Sequence, residues 1–211
     1  MLYRSILTAR LEKEPGYIAE LLNEGLQAIP ALVTAVAAKA AFYRGHTEVV
    51  EKIAMRLAVL LKLPEEQREQ LRLASQLHDI GMVTIPDVIL NKKTPLTAEE
   101  WQLIREHPAT ASRVLEQVQS LRAVAPIVRH HHERWDGGGY PDGLKAEEIP
   151  YLARILAVAD AYGSMISDWP GHAAFASEEA TAALRTVSGL QTDPDITAIF
   201  LEELARAKSG I

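Results

Sequence analysis

The sequence predicts an all-α protein, and two observations support this prediction. Apolar residues recur at three- and four-residue spacing along most of the 211-residue chain, as they do in helices that bury one face. No long segment alternates apolar and polar residues in the manner of a half-buried strand. A chain of this length is sufficient for one domain, or for one domain with a small appendage.

Proline, glycine and capping residues delimit the helices in the first half of the chain. Pro64, followed by two glutamates, is typical of a helix start, because proline fits the first helical position and acids favour the positive helix end. Thr97 and Glu100 have the spacing of a capping box. The helices predicted here are 17–29, 31–42 (ending near Gly45), 47–61, 64–80 (stopping at Gly81) and 97 to about 107.

The second half of the chain has a glycine-rich loop between further helices. Residues 136–143 contain four glycines, which permit backbone conformations closed to other residues. Asp193 followed by Pro194 predicts a helix start, and the strongly apolar segment 151–167 is expected to be central. The predicted helices are 109–119, 122–133, 151–167, 177–188 and 193–208. We expect one domain over 45–211 and N-terminal accessory helices over 1–44.

Composition excludes several classes of function. The chain has no cysteine, so disulfides, cysteine-ligated metals and a cysteine nucleophile are excluded, and the cytoplasm is the expected compartment. The formal net charge of −6 argues against binding a nucleic-acid polymer, which requires a basic face. No apolar stretch reaches the roughly 20 residues of a membrane span, so no membrane association is expected.

Polar residues interrupt the apolar faces of three predicted helices. His78 shares a face with apolar residues and Asp79 follows it; a buried hydrogen-bonded pair would explain both. The run 130–132 consists of histidines that cannot all face one way on a helix, because neighbours are about 100° apart. A solvated polar patch is the simple alternative there. Asp160 lies in an apolar run, where a carboxylate needs a salt bridge, a capping contact or a metal.

Taken together, the histidines and carboxylates indicate a metal centre. His46 and His107 would be unremarkable alone, but all-α proteins build di-metal centres from inward histidines and carboxylates on facing helices. Nitrogen and oxygen donors in this mixture suit iron, manganese or zinc. The candidate ligands are His46, His78, Asp79, His107, His131, His132 and Asp160.

Several motifs in order resemble the HD-GYP domains, bacterial phosphodiesterases of the HD metallohydrolase superfamily. The resemblance runs from about Gly45 to the last helix. The matching segments are LASQLHDIG at 73–81, IPD at 85–87, HP at 107–108, HHERWDGGGYP at 131–141, ARILAVADAY at 153–162 and QTDP at 191–194.

The resemblance implies a bundle of five core helices with flanking helices around a two- or three-metal site. It implies that the seven residues named above are the metal ligands of two divalent ions, iron or manganese. Asp79, which would bridge the metals, and His78 are the implied catalytic residues. The implied substrate is cyclic di-GMP, cleaved to linear pGpG or GMP. Two close metals would polarise the phosphate oxygens and activate a water for in-line attack.

Some positions depart from the family's pattern. Met82 stands where the family has a lysine, and Trp169 and His172 stand where it has arginines, so the cations that hold phosphate are depleted. These residues and Tyr140 occupy the predicted substrate-binding positions, although Trp169 could instead fill the core and Tyr140 could pack the loop. The Gly-Tyr-Pro loop also implies diguanylate cyclase domains as partners.

Three functions therefore stay open at the level of sequence. The first is a binuclear phosphodiesterase that acts on cyclic di-GMP or a related cyclic dinucleotide. The second is a catalytically weak or inactive module that binds metal and either nucleotide or a protein partner. The third is a phosphohydrolase for another nucleotide.

Overall fold

The computed structural model describes residues 42–168 and 173–209, and these residues form helices. Within them there is no strand, only one isolated bridge between Ser188 and Thr192, so the predicted all-α class is confirmed. The α-helices are α1 Phe42–Leu60, α2 Glu65–Leu77, α3 Asp87–Leu90, α4 Ala98–Arg105, α5 His107–Glu116, α6 Ala125–Arg129, α7 Tyr151–Met165, α8 Ser177–Val187 and α9 Pro194–Ser209. Short 3-10 segments span Ile80–Thr84, Gln119–Leu121 and Ala146–Glu148.

Several sequence predictions fall outside the described residues. They are the predicted helix 17–29, almost all of the helix 31–42 and the substrate-binding candidates Trp169 and His172. The boundary predicted between residues 44 and 45 stays a prediction. In the part of the chain that the structure describes, no helix is both long enough and apolar enough to cross a bilayer.

Helix α7 is the centre of the bundle, as its apolar sequence predicted. It packs against α1, α2, α6, α8 and α9. Its buried residues include Ile155, Leu156 and Val158, and the carboxylate of Asp160 is buried among them. The core therefore encloses a charged group at the level where the surrounding helices meet.

The helix break predicted near Gly45 is wrong, because Gly45 lies inside α1. A glycine inside a helix costs about 1 kcal/mol relative to alanine. Burial of the apolar stripe Val50, Ala54 and Leu57 against neighbouring helices outweighs that cost.

Three predicted helix boundaries are also wrong, and the errors fall at the candidate ligands. Helix α2 ends at Leu77 rather than near Ile80, so His78 is its C-terminal cap and a 3-10 segment follows. Helix α6 ends at Arg129, so the three histidines predicted to lie within a helix follow its end. Helix α5 begins at His107, two residues earlier than predicted, with proline in its first turn. The short helix α3 was not predicted.

The predicted capping signals are confirmed at two helix starts. Thr97 caps α4 in a reciprocal capping box with Glu100. Asp193 caps α9, because its Oδ1 accepts hydrogen bonds from the backbone N–H groups of Asp195 and Ile196 at 2.9 and 3.3 Å. Pro64 precedes α2 as its N-cap and is not its first helical residue.

Gly81 permits the approach that joins two of the candidate ligand segments. A Cβ atom at Gly81 would lie 2.1 Å from the backbone oxygen of His107, which is far inside any allowed contact. The 3-10 segment after Asp79 therefore packs directly on the start of α5, and only glycine allows this spacing.

We predict opposite effects for alanine at two glycines. Gly81→Ala must displace the backbone of His107 and should lower the free energy of unfolding by at least about 1–3 kcal/mol. Gly45→Ala is the matched control, because none of the described residues lies within 4 Å of its added Cβ, and it should stabilise the protein by up to about 1 kcal/mol. Urea unfolding followed by circular dichroism measures both. Equal effects of the two substitutions would contradict the close-approach argument.

Candidate metal centre

All seven predicted ligands come together in one buried cluster. The ligand atoms of His46, His78 and Asp79 lie within 4.8 Å of one another, and so do those of His107, His131 and His132. Asp160 contacts both groups. We call His46, His78 and Asp79 the first trio, and the three other histidines the second trio. Each trio alone offers the three protein ligands that are typical of a catalytic metal ion.

Helix ends orient three of the imidazoles in the same way. The Nδ1 atoms of His78, His107 and His131 lie 2.7, 2.8 and 2.6 Å from the carbonyl oxygens three residues earlier. Those carbonyls belong to the last turns of α2, α4 and α6, where helical partners run out. A carbonyl only accepts, so each Nδ1 donates. Each Nε2 therefore faces the cluster.

The Nε2 atoms of these three histidines are buried and make no hydrogen bond with any residue in the described part of the chain. Buried polar atoms are normally paired, and a metal-ligating histidine normally donates its other ring N–H to a carbonyl or carboxylate. The sets of nitrogen and oxygen donors fit divalent metal ions such as iron, manganese and zinc.

Two carboxylates, Asp79 of the first trio and Asp160, lie near histidines of both trios. Asp79 presents Oδ2 to His78 Nε2 and Oδ1 to His107 Nε2, each at 3.4 Å. Asp160 lies on the other side, with Oδ1 3.0 Å from His46 Nε2 and Oδ2 3.8 Å from His132 Nδ1. Each carboxylate therefore faces both trios, and Asp79 has the placement expected of a bridging ligand.

Burial keeps the second trio ready to bind metal. It lowers the pKa of His107 and His131, with His131 well below its usual value because neighbouring imidazoles add to the effect. Burial also lowers the pKa of His132 to about 4. Because the His132 side chain is 27% exposed, its pKa is shifted less strongly than that of the fully buried His131. All three imidazoles are neutral at pH 7 and offer a lone pair.

The first trio has the opposite electrostatics. Burial alone would lower the pKa of His78, but the charge of Asp79, whose Oδ2 lies 3.4 Å from His78 Nε2, outweighs burial and raises the pKa to about 9. The carboxyl pKa values of Asp79 and Asp160 are lowered despite burial, chiefly by His78 and by the hydrogen bond from His46. Without metal, His78 thus carries a proton that a metal ion would displace.

The remaining histidine of the run, His130, faces away from the cluster. Its Nδ1 lies 2.8 Å from the carbonyl oxygen of Pro126, and its Nε2 lies 3.0 Å from Asp142. Arg129 also forms two hydrogen bonds with Asp142, both 2.7 Å long. The alternative of a solvated polar patch therefore fits His130 better than the buried His131.

Glu133 holds the glycine-rich loop against the cluster, a role that the sequence reading missed. Its Oε1 accepts hydrogen bonds from the backbone N–H groups of Asp142 and Gly143 at 2.7 and 3.1 Å. Gly139 allows the return of the loop, because a Cβ there would lie 2.3 Å from the backbone nitrogen of Arg134. The acidic residue directly after paired histidines was the signal available in the sequence.

Tyr140 lies at the rim of the second trio. Its ring centroid is 5.0 Å from that of His132. Burial, together with the charges of Asp160 and Asp79, raises the pKa of the phenol, so the hydroxyl stays protonated. Arg105, which the sequence reading also missed, lies over the other part of this rim with Cζ 5.6 Å from the Tyr140 ring centroid.

Met82 is buried in the hydrophobic core and is 8% exposed. Its backbone N–H donates to the carbonyl of Asp79 at 2.9 Å. The side chain at this predicted substrate-binding position therefore has little surface available to a ligand.

Comparison with known proteins gives consistent matches. The family described as HD domain matches residues 30–196. A cyclic di-GMP phosphodiesterase of Thermotoga maritima is 39% identical over 159 residues, covering 74% of this chain and 43% of that protein. A 3'3'-cGAMP-specific phosphodiesterase of Vibrio cholerae is 30% identical over 187 residues, covering 88% and 36%. The chain thus spans roughly two fifths of the length of these relatives.

Solved structures share the fold. An HDG"Y"P protein from Bdellovibrio bacteriovorus superposes with a TM-score of 0.66 at 19% identity, covering 87% of this chain and 64% of that one. A cyclic GMP-AMP-specific phosphodiesterase of Vibrio cholerae gives 0.64 at 22% identity, covering 84% and 48%.

We predict that Glu133 stabilises the loop through one oxygen acceptor. Glu133→Ala leaves two backbone N–H groups without their partner and should lower the free energy of unfolding by about 1–3 kcal/mol. Glu133→Gln keeps a carbonyl oxygen that can accept these hydrogen bonds, so its free energy of unfolding should fall clearly less than that of Glu133→Ala. Urea denaturation of the three proteins distinguishes these results, and equal losses for alanine and glutamine would contradict the assignment.

We predict that the metal-free protein loses stability as the pH falls from about 6.5 to about 4. In this window an unfolded histidine takes up a proton while the buried His132, with its pKa lowered from 6.5 to about 4, does not. The native state binds fewer protons, so the free energy of unfolding decreases with decreasing pH. The substitution His132→Gln should reduce the slope of the free energy of unfolding against pH by up to about 1.4 kcal/mol per pH unit. Urea titrations in the presence of chelator measure the slope, and an unchanged slope would refute the prediction.

Proposed function

The chain belongs to the HD domain family, and we propose that it is a metal-dependent phosphodiesterase that hydrolyses a cyclic dinucleotide, with cyclic di-GMP as the first candidate. The observation that carries this proposal is the set of three buried, inward Nε2 atoms, two of which face the same carboxylate, Asp79. The names of the similar relatives support the substrate class.

Two metal ions would be held by the two trios. His46 and His78 would bind one ion, and His107, His131 and His132 the other. Asp79 would bridge the two, and Asp160 would complete the shell between His46 and His132. We propose iron or manganese, because imidazole nitrogen and carboxylate oxygen without thiolate suit these metals.

The chain's own residues prepare the site for phosphodiester hydrolysis. A divalent metal supplies positive charge that polarises phosphate oxygens and makes a nearby water more acidic. Ser75, Ile104 and Val128 hold the imidazoles in a fixed orientation through their carbonyls, so little reorganisation is required during the reaction. In hydrolysis, water oxygen forms a bond to phosphorus, the bond to the leaving ribose oxygen breaks, and that oxygen takes a proton.

Tyr140 would contact the substrate at the rim. Its phenol stays protonated, so it can donate a hydrogen bond to an anionic phosphate oxygen, and its ring offers a face for a purine base. Glu133 would act as a positioning residue for Tyr140, because it holds the loop from which the ring projects.

One observation supports 3'3'-cGAMP as a second candidate substrate: a relative at 30% identity is named as specific for it. A weak or inactive module is supported by another, since a buried methionine replaces the expected lysine at position 82. Association with diguanylate cyclase domains through the Gly139–Pro141 loop and a cytoplasmic location both stay predictions.

The proposed activity predicts a defined product and a defined loss. Protein reconstituted with ferrous iron or manganese should bind about two ions per chain and convert cyclic di-GMP to linear pGpG or GMP. Asp79→Asn and His78→Ala should lower turnover by at least about a hundredfold and reduce the metal content below that of the wild type, because even outer-shell changes cost 10–100-fold in metal affinity or activity. Elemental analysis and chromatography of the products measure these quantities.

A matched carboxylate control distinguishes loss of the site from a general loss of folded protein. Asp195→Asn alters an exposed carboxylate on α9 and should retain wild-type turnover. A parallel assay with 3'3'-cGAMP distinguishes the two substrates. Metal-loaded wild-type protein that cleaves neither cyclic dinucleotide would overturn the proposal and leave the inactive module or a phosphohydrolase for another nucleotide as the function.

A further inference from the structure

Arg105 is a cation at the rim of the candidate site whose charge is not committed to a carboxylate. It is the last residue of α4 and is exposed. Its guanidinium makes no ion pair or hydrogen bond with any residue that the structure describes; its described contact is with the ring of Tyr140, 5.6 Å from Cζ to the ring centroid. The charge of Arg105 is therefore available to a ligand.

The other arginines around the loop differ in this respect. Arg129 is paired through two hydrogen bonds with Asp142, and Arg134 through two with Asp136. Their guanidinium donors are already engaged with carboxylates, and they hold the loop in place.

The fold positions Arg105 through the same segment that orients a candidate ligand. The carbonyl of Ile104, its neighbour in the chain, accepts the hydrogen bond from Nδ1 of His107. The Tyr140 ring contacts both neighbours, with its centroid 5.0 Å from that of His132 and 5.6 Å from Cζ of Arg105. Arg105 is thus linked to the second trio through one shared aromatic neighbour and is not itself one of the candidate ligands.

A cation beside the ligand set, but outside it, suits a second phosphate rather than the one that reacts. A cyclic dinucleotide carries two phosphodiester groups joined through nucleosides, so one can lie on the metal ions while the other lies at the rim. A guanidinium presents a planar fork of donors that matches phosphate oxygens. The cation–π contact with the Tyr140 ring limits the freedom of the guanidinium that binding must remove.

We propose that Arg105 binds the non-reacting phosphate of the cyclic dinucleotide, with Tyr140 as its platform, and so is a specificity-determining residue; this inference rests on the proposed function. It also provides one cation at a site where Met82 replaces an expected lysine. Because Arg105 would contact a phosphate that does not react, it should stabilise the bound substrate and the transition state equally. Its loss should therefore raise KM more than it lowers kcat.

The test compares two substrates that differ in the number of phosphates. Cyclic di-GMP has two phosphodiesters, and bis(p-nitrophenyl) phosphate has one. Arg105→Ala should raise KM for cyclic di-GMP by about 10- to 100-fold, the range for a charged hydrogen bond, with kcat nearly unchanged. Hydrolysis of bis(p-nitrophenyl) phosphate should change less than about twofold. Arg105→Lys keeps the charge but loses the fork and should give an intermediate KM.

Arg113→Ala is the matched control. Arg113 is an exposed arginine on α5 whose described side-chain contact is a hydrogen bond to the hydroxyl of Thr110 at 3.1 Å, and its loss should leave both substrates unaffected. Metal content, measured for every variant, should equal that of the wild type.

The outcomes separate the inference from the proposed function. An unchanged KM for cyclic di-GMP in Arg105→Ala would overturn the role of Arg105 while the proposed function stands. Equal losses with both substrates would also overturn it and assign Arg105 a structural role. Wild-type protein that cleaves bis(p-nitrophenyl) phosphate but no cyclic dinucleotide would overturn the proposed function and this inference together.

Discussion

Two buried carboxylates that have only imidazoles as charge partners are the constraint on which this structure depends. Asp79 and Asp160 are 7% and 8% exposed, and within the described residues neither pairs with lysine or arginine. Burying a charge is costly unless it is paired. The helices must therefore converge so that histidines surround both carboxylates. Protonation of His78 supplies part of the compensating charge, and divalent metal ions would supply the rest.

Helix ends solve the problem of directing these imidazoles. A histidine placed just beyond the last turn of a helix can donate its Nδ1 proton to a carbonyl that has lost its helical partner, and three ends in this fold do so. The ends must also approach each other closely, which glycine permits. Gly81 brings the 3-10 segment onto His107, and Gly163 allows α7 to pack against α1, where an added Cβ would lie 2.9 Å from Val50 Cγ2 and 3.8 Å from His46 Cε1.

The rim of the site depends on this same framework. Glu133, next to His132 in the chain, holds the loop that carries Tyr140, and Ile104, next to Arg105, orients His107. Arg105 is thus the chain neighbour of a residue that orients a ligand, and Tyr140 lies in a loop held by the chain neighbour of a ligand. In a protein with a formal net charge of −6, this coupling is a way to concentrate positive charge where an anionic substrate would bind.

The helical periodicity of the sequence by itself determined the all-α class, because burial of one helix face is a local property that repeats along the chain. The strongly apolar composition of 151–167 determined the central place of α7. Residue type and motif order also identified the seven candidate ligands. Only the tertiary structure decided where α2 and α6 end, which histidine of the run faces outward, and that Asp79 lies between His78 and His107. It alone placed Arg105 over Tyr140. These features depend on contacts between segments distant in sequence, such as Gly81 with His107, and a helix ends where such contacts compete with its own hydrogen bonds.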